Sequence, residues 1–162
     1  MNESGEMNEV SCCARFNPEP FEAGALSWVD KKFVHERVRC FFHIPIGFGG
    51  MMERVMKIIM GAGAKPEPDL IVMCDESSKW RSEVYLEATK DVPGLEMTTI
   101  SGQFITKVFD GPYKDSAKWY KVMCAELELR GLPQRRMFAY YTTCPACSKK
   151  HGHNYVVLLA EV

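Results

Sequence analysis

Two stretches of the chain alternate between apolar and polar residues, and two others carry apolar residues at helical spacing. Residues 33–42 and 80–89 alternate, so each would place its apolar side chains on one face of a strand. Over residues 47–60 and 113–130, apolar positions recur every three or four residues, which predicts two amphipathic helices. The apolar stripe predicted for the second helix consists of Tyr113, Ala117, Tyr120, Cys124 and Leu127.

Shorter apolar runs complete an order of elements that occurs twice. They predict four further strands, at residues 70–74, 97–109, 137–143 and 155–162. Residues 144–153, between the last two strands, are predicted to form a loop. Strand, helix and hairpin therefore follow one another twice, in half-modules at about 33–92 and 95–162, and we interpret this order as a duplicated βαββ module.

The repeated order predicts an α+β fold with a ligand cleft. Two βαββ modules would form one antiparallel sheet, with the two long helices on one face and a concave cleft on the other. The second alternating strand would direct Val84 and Leu86 to the helices and Glu83 into the cleft. Residues 1–30 show no period and are predicted to be an irregular N-terminal segment in front of a single domain at 31–162.

Charge and apolar content restrict the classes of function. Lys and Arg number 20 and Asp and Glu number 21 in the 162 residues, and this net charge of -1 argues against a nucleic-acid partner. No apolar run reaches the roughly 18 residues of a membrane-spanning helix, and the N-terminus lacks the pattern of a signal peptide. We therefore expect a cytoplasmic protein without a membrane partner. The sequence leaves the oligomeric state open.

Three stretches resemble the GyrI-like small-molecule-binding superfamily. They are residues 81–86, residues 102–113, and the strands at 139–141 and 155–162. The first carries Glu83 where the family often has an inward glutamate. The second ends in Gly111-Pro112-Tyr113, as the family strand does, but has Phe109 where the family often has histidine.

This resemblance implies that an amphipathic or cationic small molecule binds in a cleft with aromatic walls and a central acid. Some members sequester toxins and others hydrolyse reactive electrophiles, so binding alone and hydrolysis both remain open. Glu83 is the expected central acid and the candidate catalytic residue. The expected ligand-binding residues are His43, Glu83, Tyr85, Phe109, Tyr113, Trp119, Tyr140 and Tyr141. A third interpretation is that the concave face binds another protein.

A Cys-Pro-Ala-Cys segment supports an alternative of another class. Cys144, Cys147, His151 and His153 are residue types that hold zinc, and a Cys-x2-Cys pair is half of a zinc site. The same pair would also suit a thiol-redox module. Zinc frameworks usually separate their two ligand pairs further, and a redox motif needs a longer helix than the segment allows. We therefore expect no metal and no cofactor, and keep a metal or redox module as the alternative to small-molecule binding.

Overall fold

A computed structural model describes residues 13–162 and shows an α+β protein whose antiparallel sheet closes into a barrel. The strands are β1 (Ala25–Phe41), β2 (Ile44–Pro45), β3 (Val72–Asp75), β4 (Arg81–Glu87), β5 (Met97–Asp110), β6 (Met137–Tyr141) and β7 (Tyr155–Glu161). The helices are α1 (Glu19–Glu22), α2 (Phe48–Gly61), α3 (Ser116–Leu129) and α4 (Pro145–His151), and a 3-10 turn at Tyr113–Asp115 precedes α3.

The barrel closes because β1 is long enough to pair with two different strands. Residues 33–39 of β1 pair with β4, and residues 25–34 pair with β5. The remaining pairs run β4–β3, β3–β6, β6–β7 and β7–β5, so the sheet returns to β1. The register of β1 against β5 shifts between Trp28 and Lys31, where Asp30 adopts a left-handed φ of 49°. An extra residue of this kind bends a strand and increases its twist, which helps a sheet to close.

Both long helices pack on the outer face of the barrel. Helix α2 buries Met51, Val55 and Ile59 against a cluster that includes Val84 and Leu86. Helix α3 packs against a second cluster that includes Ala139 and Leu158. Cys74 of the first cluster pairs with Ala139 of the second across β3 and β6, so the two clusters share one face of the sheet.

The inner face, which we expected to be an open concave cleft, is packed with side chains. Its buried members are Phe33, Met73, Tyr85, Ile100, Phe104, Phe138, Tyr140, Val157 and Leu159. Phe16 and Phe21, from the segment before β1, add to this cluster and place their rings 5.6 and 5.8 Å from that of Tyr140. The sheet closes around these residues because β1 begins at Ala25, several residues before the predicted strand.

The N-terminal part of the chain is more regular than predicted. Residues 25–30 belong to β1 instead of an irregular segment, and the short helix α1 lies before them. The part of that segment at residues 1–12 lies outside the described residues. No helix in the described part of the chain is both long enough and apolar enough to cross a membrane.

Two predictions for the second half were wrong. The buried stripe of α3 is Trp119, Met123 and Leu127, whereas Tyr113 lies in the 3-10 turn and is 39% exposed. The Gly-Pro turn and the tighter 3-10 geometry place α3 in a different rotation from the one assumed. The predicted loop at 144–153 contains the helix α4.

Candidate functional site

The residues predicted to form one cleft lie on both faces of the sheet. Tyr85 and Tyr140 point into the barrel, where they belong to the inner cluster. Tyr141 faces outward and contacts the clusters beneath both long helices. Phe109 and Trp119 also lie outside, with stacked rings 5.5 Å apart. Trp119 is only 8% exposed, so its ring packs α3 against the sheet.

Glu83 lies among positively charged and ionisable side chains. Its carboxylate is 2.7 Å from His35 Nε2, 2.9 Å from an Arg81 guanidinium nitrogen and 3.5 Å from Arg37 Nε. The His35 ring stacks on Tyr85, with ring centres 4.8 Å apart. Two guanidinium groups already compensate the Glu83 charge, which weakens its attraction for a cationic ligand.

His43 lies at the tip of the β1–β2 hairpin. It is exposed, has a left-handed φ of 67°, and its amide donates to the Lys79 carbonyl at 3.0 Å. This position makes His43 part of a tight turn, and within residues 13–162 its ring stacks on no aromatic residue of either face.

A carboxylate that the sequence analysis missed lies directly after β3, beside α3 and the end of β6. The Tyr141 hydroxyl donates to Glu76 Oε1 at 2.6 Å, and the Tyr120 hydroxyl donates to Glu76 Oε2 at 3.0 Å. The ring of Tyr113, which is partly exposed, meets that of Tyr141 edge to face, with centres 5.6 Å apart. Glu76 itself is half-buried. This cluster combines one acid with three aromatic rings.

The electrostatics of this cluster keep the tyrosines as donors. Burial, together with the Glu76 charge, raises the pKa of the Tyr120 and Tyr141 hydroxyls, so both stay protonated at neutral pH. Among residues 13–162, no Lys, Arg or His side chain lies within ion-pair distance of Glu76. An ionised carboxylate has about four acceptor positions, so two hydroxyl donors leave capacity for a ligand or a water molecule.

The sequence did not indicate Glu76 as a site residue, because it lies in a polar run, Asp75 to Lys79, that is typical of a hairpin loop. Its two tyrosine partners are 44 and 65 residues away along the chain. Tyr120 and Tyr141 could have indicated a nearby acceptor such as Glu76, since a buried tyrosine hydroxyl usually needs a hydrogen-bond acceptor.

The Cys-Pro-Ala-Cys segment also gains a distant partner. Cys144 precedes the first turn of α4 and Cys147 lies within that helix, and Sγ of Cys13 lies within 4.8 Å of both sulfurs. His153 is directed elsewhere, because its Nδ1 is 2.7 Å from an Asp110 carboxylate oxygen. His151 lines a neighbouring cleft of about 210 Å³. Within the described residues, a metal would therefore find three thiols at this place.

Comparison with known proteins identifies the family of the chain. A protein-family model described as "Bacterial hydrolase" matches residues 3–162, and the chain belongs to this family. No curated protein sequence matches it significantly.

The fold is similar to that of a solved structure, SAV2435 bound to tetraphenylphosphonium. The TM-score is 0.53 at 11% sequence identity, over 85% of this chain and 92% of that one. An identity this low establishes a shared fold alone.

Proposed function

We propose that the protein binds a small amphipathic or cationic molecule at Glu76, beside α3 and the end of β6. The observation that carries this proposal is a half-buried carboxylate held by two tyrosine hydroxyls, with no cationic side chain paired to it in the described residues. The structural neighbour supports the same class of ligand, because its title names tetraphenylphosphonium, a lipophilic cation.

The physical chemistry of the cluster suits such a ligand. A carboxylate in a partly desolvated place attracts a cation more strongly than one in water. The rings of Tyr113 and Tyr141 offer faces and edges that bind cationic and aromatic groups. Tyr113 is partly exposed and would be the first of these rings that an entering molecule meets.

We also propose that the chain is a GyrI-like protein built from two duplicated βαββ modules. Each half pairs its strands in the same order, β1–β4–β3 in the first and β5–β7–β6 in the second. Each half also places its long helix between its first and second strands, apart from the two-residue β2. This agreement supports an internal duplication, with Glu76 near the line where the halves meet.

Hydrolysis of a reactive electrophile at the same cluster is a second candidate function, and the description of the family favours it. Glu76 would accept a proton from water while the resulting hydroxide attacks the electrophilic carbon. Once Glu76 holds this proton, its carboxyl accepts the tyrosine hydrogen bonds less strongly. The Tyr120 or Tyr141 hydroxyl would then break its bond to Glu76 and donate its one hydrogen bond to the leaving atom as negative charge develops there.

Glu83, together with Tyr85 and Tyr140, is the alternative location for the ligand. Binding there would have to displace side chains from the packed interior and compete with Arg37 and Arg81 for the carboxylate. The ion pairs therefore favour Glu76 as the acid that meets the ligand.

A titration with tetraphenylphosphonium tests the proposal. We expect Glu76→Gln to weaken binding by about 1–3 kcal/mol, roughly 5- to 150-fold in Kd, because it removes the charge and keeps one acceptor oxygen. Glu83→Gln is the matched control and should leave Kd nearly unchanged. A loss confined to Glu83→Gln would move the site to the inner face, and equal binding by all three proteins would refute both locations.

An assay with strained electrophiles separates binding from hydrolysis. If Glu76 is a general base, Glu76→Gln should lower turnover by roughly 10²–10⁴. If the protein only binds, wild type and variant should both leave the electrophile at its uncatalysed rate of hydrolysis.

A further inference from the structure

Three cysteines from opposite ends of the described chain meet beside α4. The sulfurs of Cys13, Cys144 and Cys147 all lie within 4.8 Å of one another. Cys147 is 2% exposed, and the other two are half-buried. The backbone amide of Cys144 donates to Cys13 Sγ at 3.5 Å, across 131 residues of sequence.

This arrangement matches what a thiolate metal site requires. Zinc binds thiolate sulfur at about 2.3 Å in tetrahedral geometry, which places two sulfur ligands about 3.8 Å apart. The three sulfurs need to move by only about 1 Å or less to reach that spacing. An amide donor on a sulfur favours its ionised form, which is the form that binds metal.

Cys13 also supplies the distant ligand whose absence argued against a metal site in the sequence. The Cys-x2-Cys pair had lacked a ligand from a distant part of the chain, and Cys13 provides one. The sequence-based ligand set included His153. That histidine is instead bonded to Asp110, and its ring stacks on Tyr155.

We propose that Cys13, Cys144 and Cys147 bind a divalent, thiolate-preferring metal ion, zinc above all, and that the ion fastens the N-terminal segment to the barrel. Three thiolates leave one coordination position for water or a further side chain. The proposal is independent of the function assigned to Glu76.

The fastened segment has a specific role in the structure. Three residues after Cys13, the Phe16 ring packs against Tyr140 and Tyr155, at 5.6 and 5.8 Å. Phe21 follows and packs against the same Tyr140 ring. A metal at Cys13 would therefore hold the aromatic residues that cover the inner cluster.

Metal analysis of the full chain tests the site. We expect about one zinc ion per chain after zinc loading and dialysis, and its loss from both Cys13→Ser and Cys147→Ser. Cys124→Ser, at a half-buried cysteine on α3, is the matched control and should keep the ion. Cobalt loading should give the thiolate-to-metal charge-transfer and visible bands of a tetrahedral sulfur site in wild type and in Cys124→Ser only.

Limited trypsin digestion provides a second readout that survives a folding defect in Cys147→Ser. Arg15 is exposed and lies two residues after Cys13. A chelator should speed cleavage at Arg15 in the wild type, whereas Cys13→Ser should be cleaved quickly with or without it.

Three results would overturn the proposal. They are zinc retention by Cys13→Ser equal to that of the wild type, cobalt spectra without sulfur charge transfer, and a disulfide from Cys13 to Cys144 or Cys147 in the protein purified without oxidant.

Discussion

The Tyr141 hydroxyl donates to Glu76 at 2.6 Å and ties the end of β6 to the residue that follows β3. These two strands pair at only two positions, Met73 with Tyr140 and Cys74 with Ala139. The hydrogen bond therefore reinforces a short seam between the two halves of the chain. It also orients the carboxylate that we propose as the ligand-binding acid.

Tyr141→Phe should separate the structural role of this bond from its role in binding. Removing one donor from a half-buried carboxylate should lower the free energy of unfolding by about 1–3 kcal/mol. The charge of Glu76 remains, so tetraphenylphosphonium should bind at least as tightly as to the wild type. Urea unfolding and calorimetric titration measure the two effects.

Tyr155→Phe is the control for this prediction. Its hydroxyl makes no hydrogen bond to any of the residues 13–162, so the same chemical change should have little effect on stability. A Tyr141→Phe protein as stable as Tyr155→Phe would mean that the Glu76 bond contributes nothing to the seam.

The rotation of α3 gives a second prediction, because two leucines of one helix have opposite surroundings. Leu127 is 0% exposed in the outer cluster, and Leu129 is 89% exposed. Leu127→Ala should lower the free energy of unfolding by about 2–5 kcal/mol, since it removes buried methyl groups and leaves a cavity. Leu129→Ala should change it by less than about 0.5 kcal/mol. Similar unfolding midpoints for the two variants in urea would contradict the observed rotation of α3.

Local periodicity predicted those parts of the fold that depend on neighbouring residues. The alternation at 80–89 placed Val84 and Leu86 under a helix and Tyr85 on the opposite face, and the structure agrees. Closure of the barrel depends instead on pairs such as Ala25 with Ile105, between distant parts of the chain. Alternation describes one strand and contains no information on which strand it will meet.

The candidate sites were harder to predict for the same reason. Glu76 looks like an ordinary loop residue until Tyr141 is brought to it, and Cys13 lies in a segment without periodicity. In both cases the chemistry depends on partners that only the folded chain brings together. Glu83 was the more visible acid because it lies on a regular strand, yet its neighbours include Arg37 and Arg81.

Glu161, the last residue of β7, forms an ion pair with Arg136, and this pair should make the stability of the protein depend on pH in the acidic range. Arg136 Nε donates to a Glu161 carboxylate oxygen at 2.9 Å, and this hydrogen bond lowers the pKa of Glu161 from its ordinary value of 4.5. A lowered pKa means that the folded state binds the proton less readily than the unfolded state. The stabilisation is therefore complete above about pH 4.5 and is lost as the pH falls through the lower folded value.

Glu161→Gln should accordingly be less stable than wild type at pH 7, by roughly 1 kcal/mol, because it loses a charge-assisted pair. The difference should shrink as the pH falls below about 4.5, where the carboxylate of the unfolded chain binds a proton, and should be lost once the pH passes the lower pKa of the folded state. Urea unfolding of both proteins between neutral and acidic pH measures it. Glu128→Gln, at an exposed glutamate of α3, should follow the wild type throughout. A constant gap between Glu161→Gln and the wild type at all pH values would show that the Arg136 pair does not set the acid sensitivity.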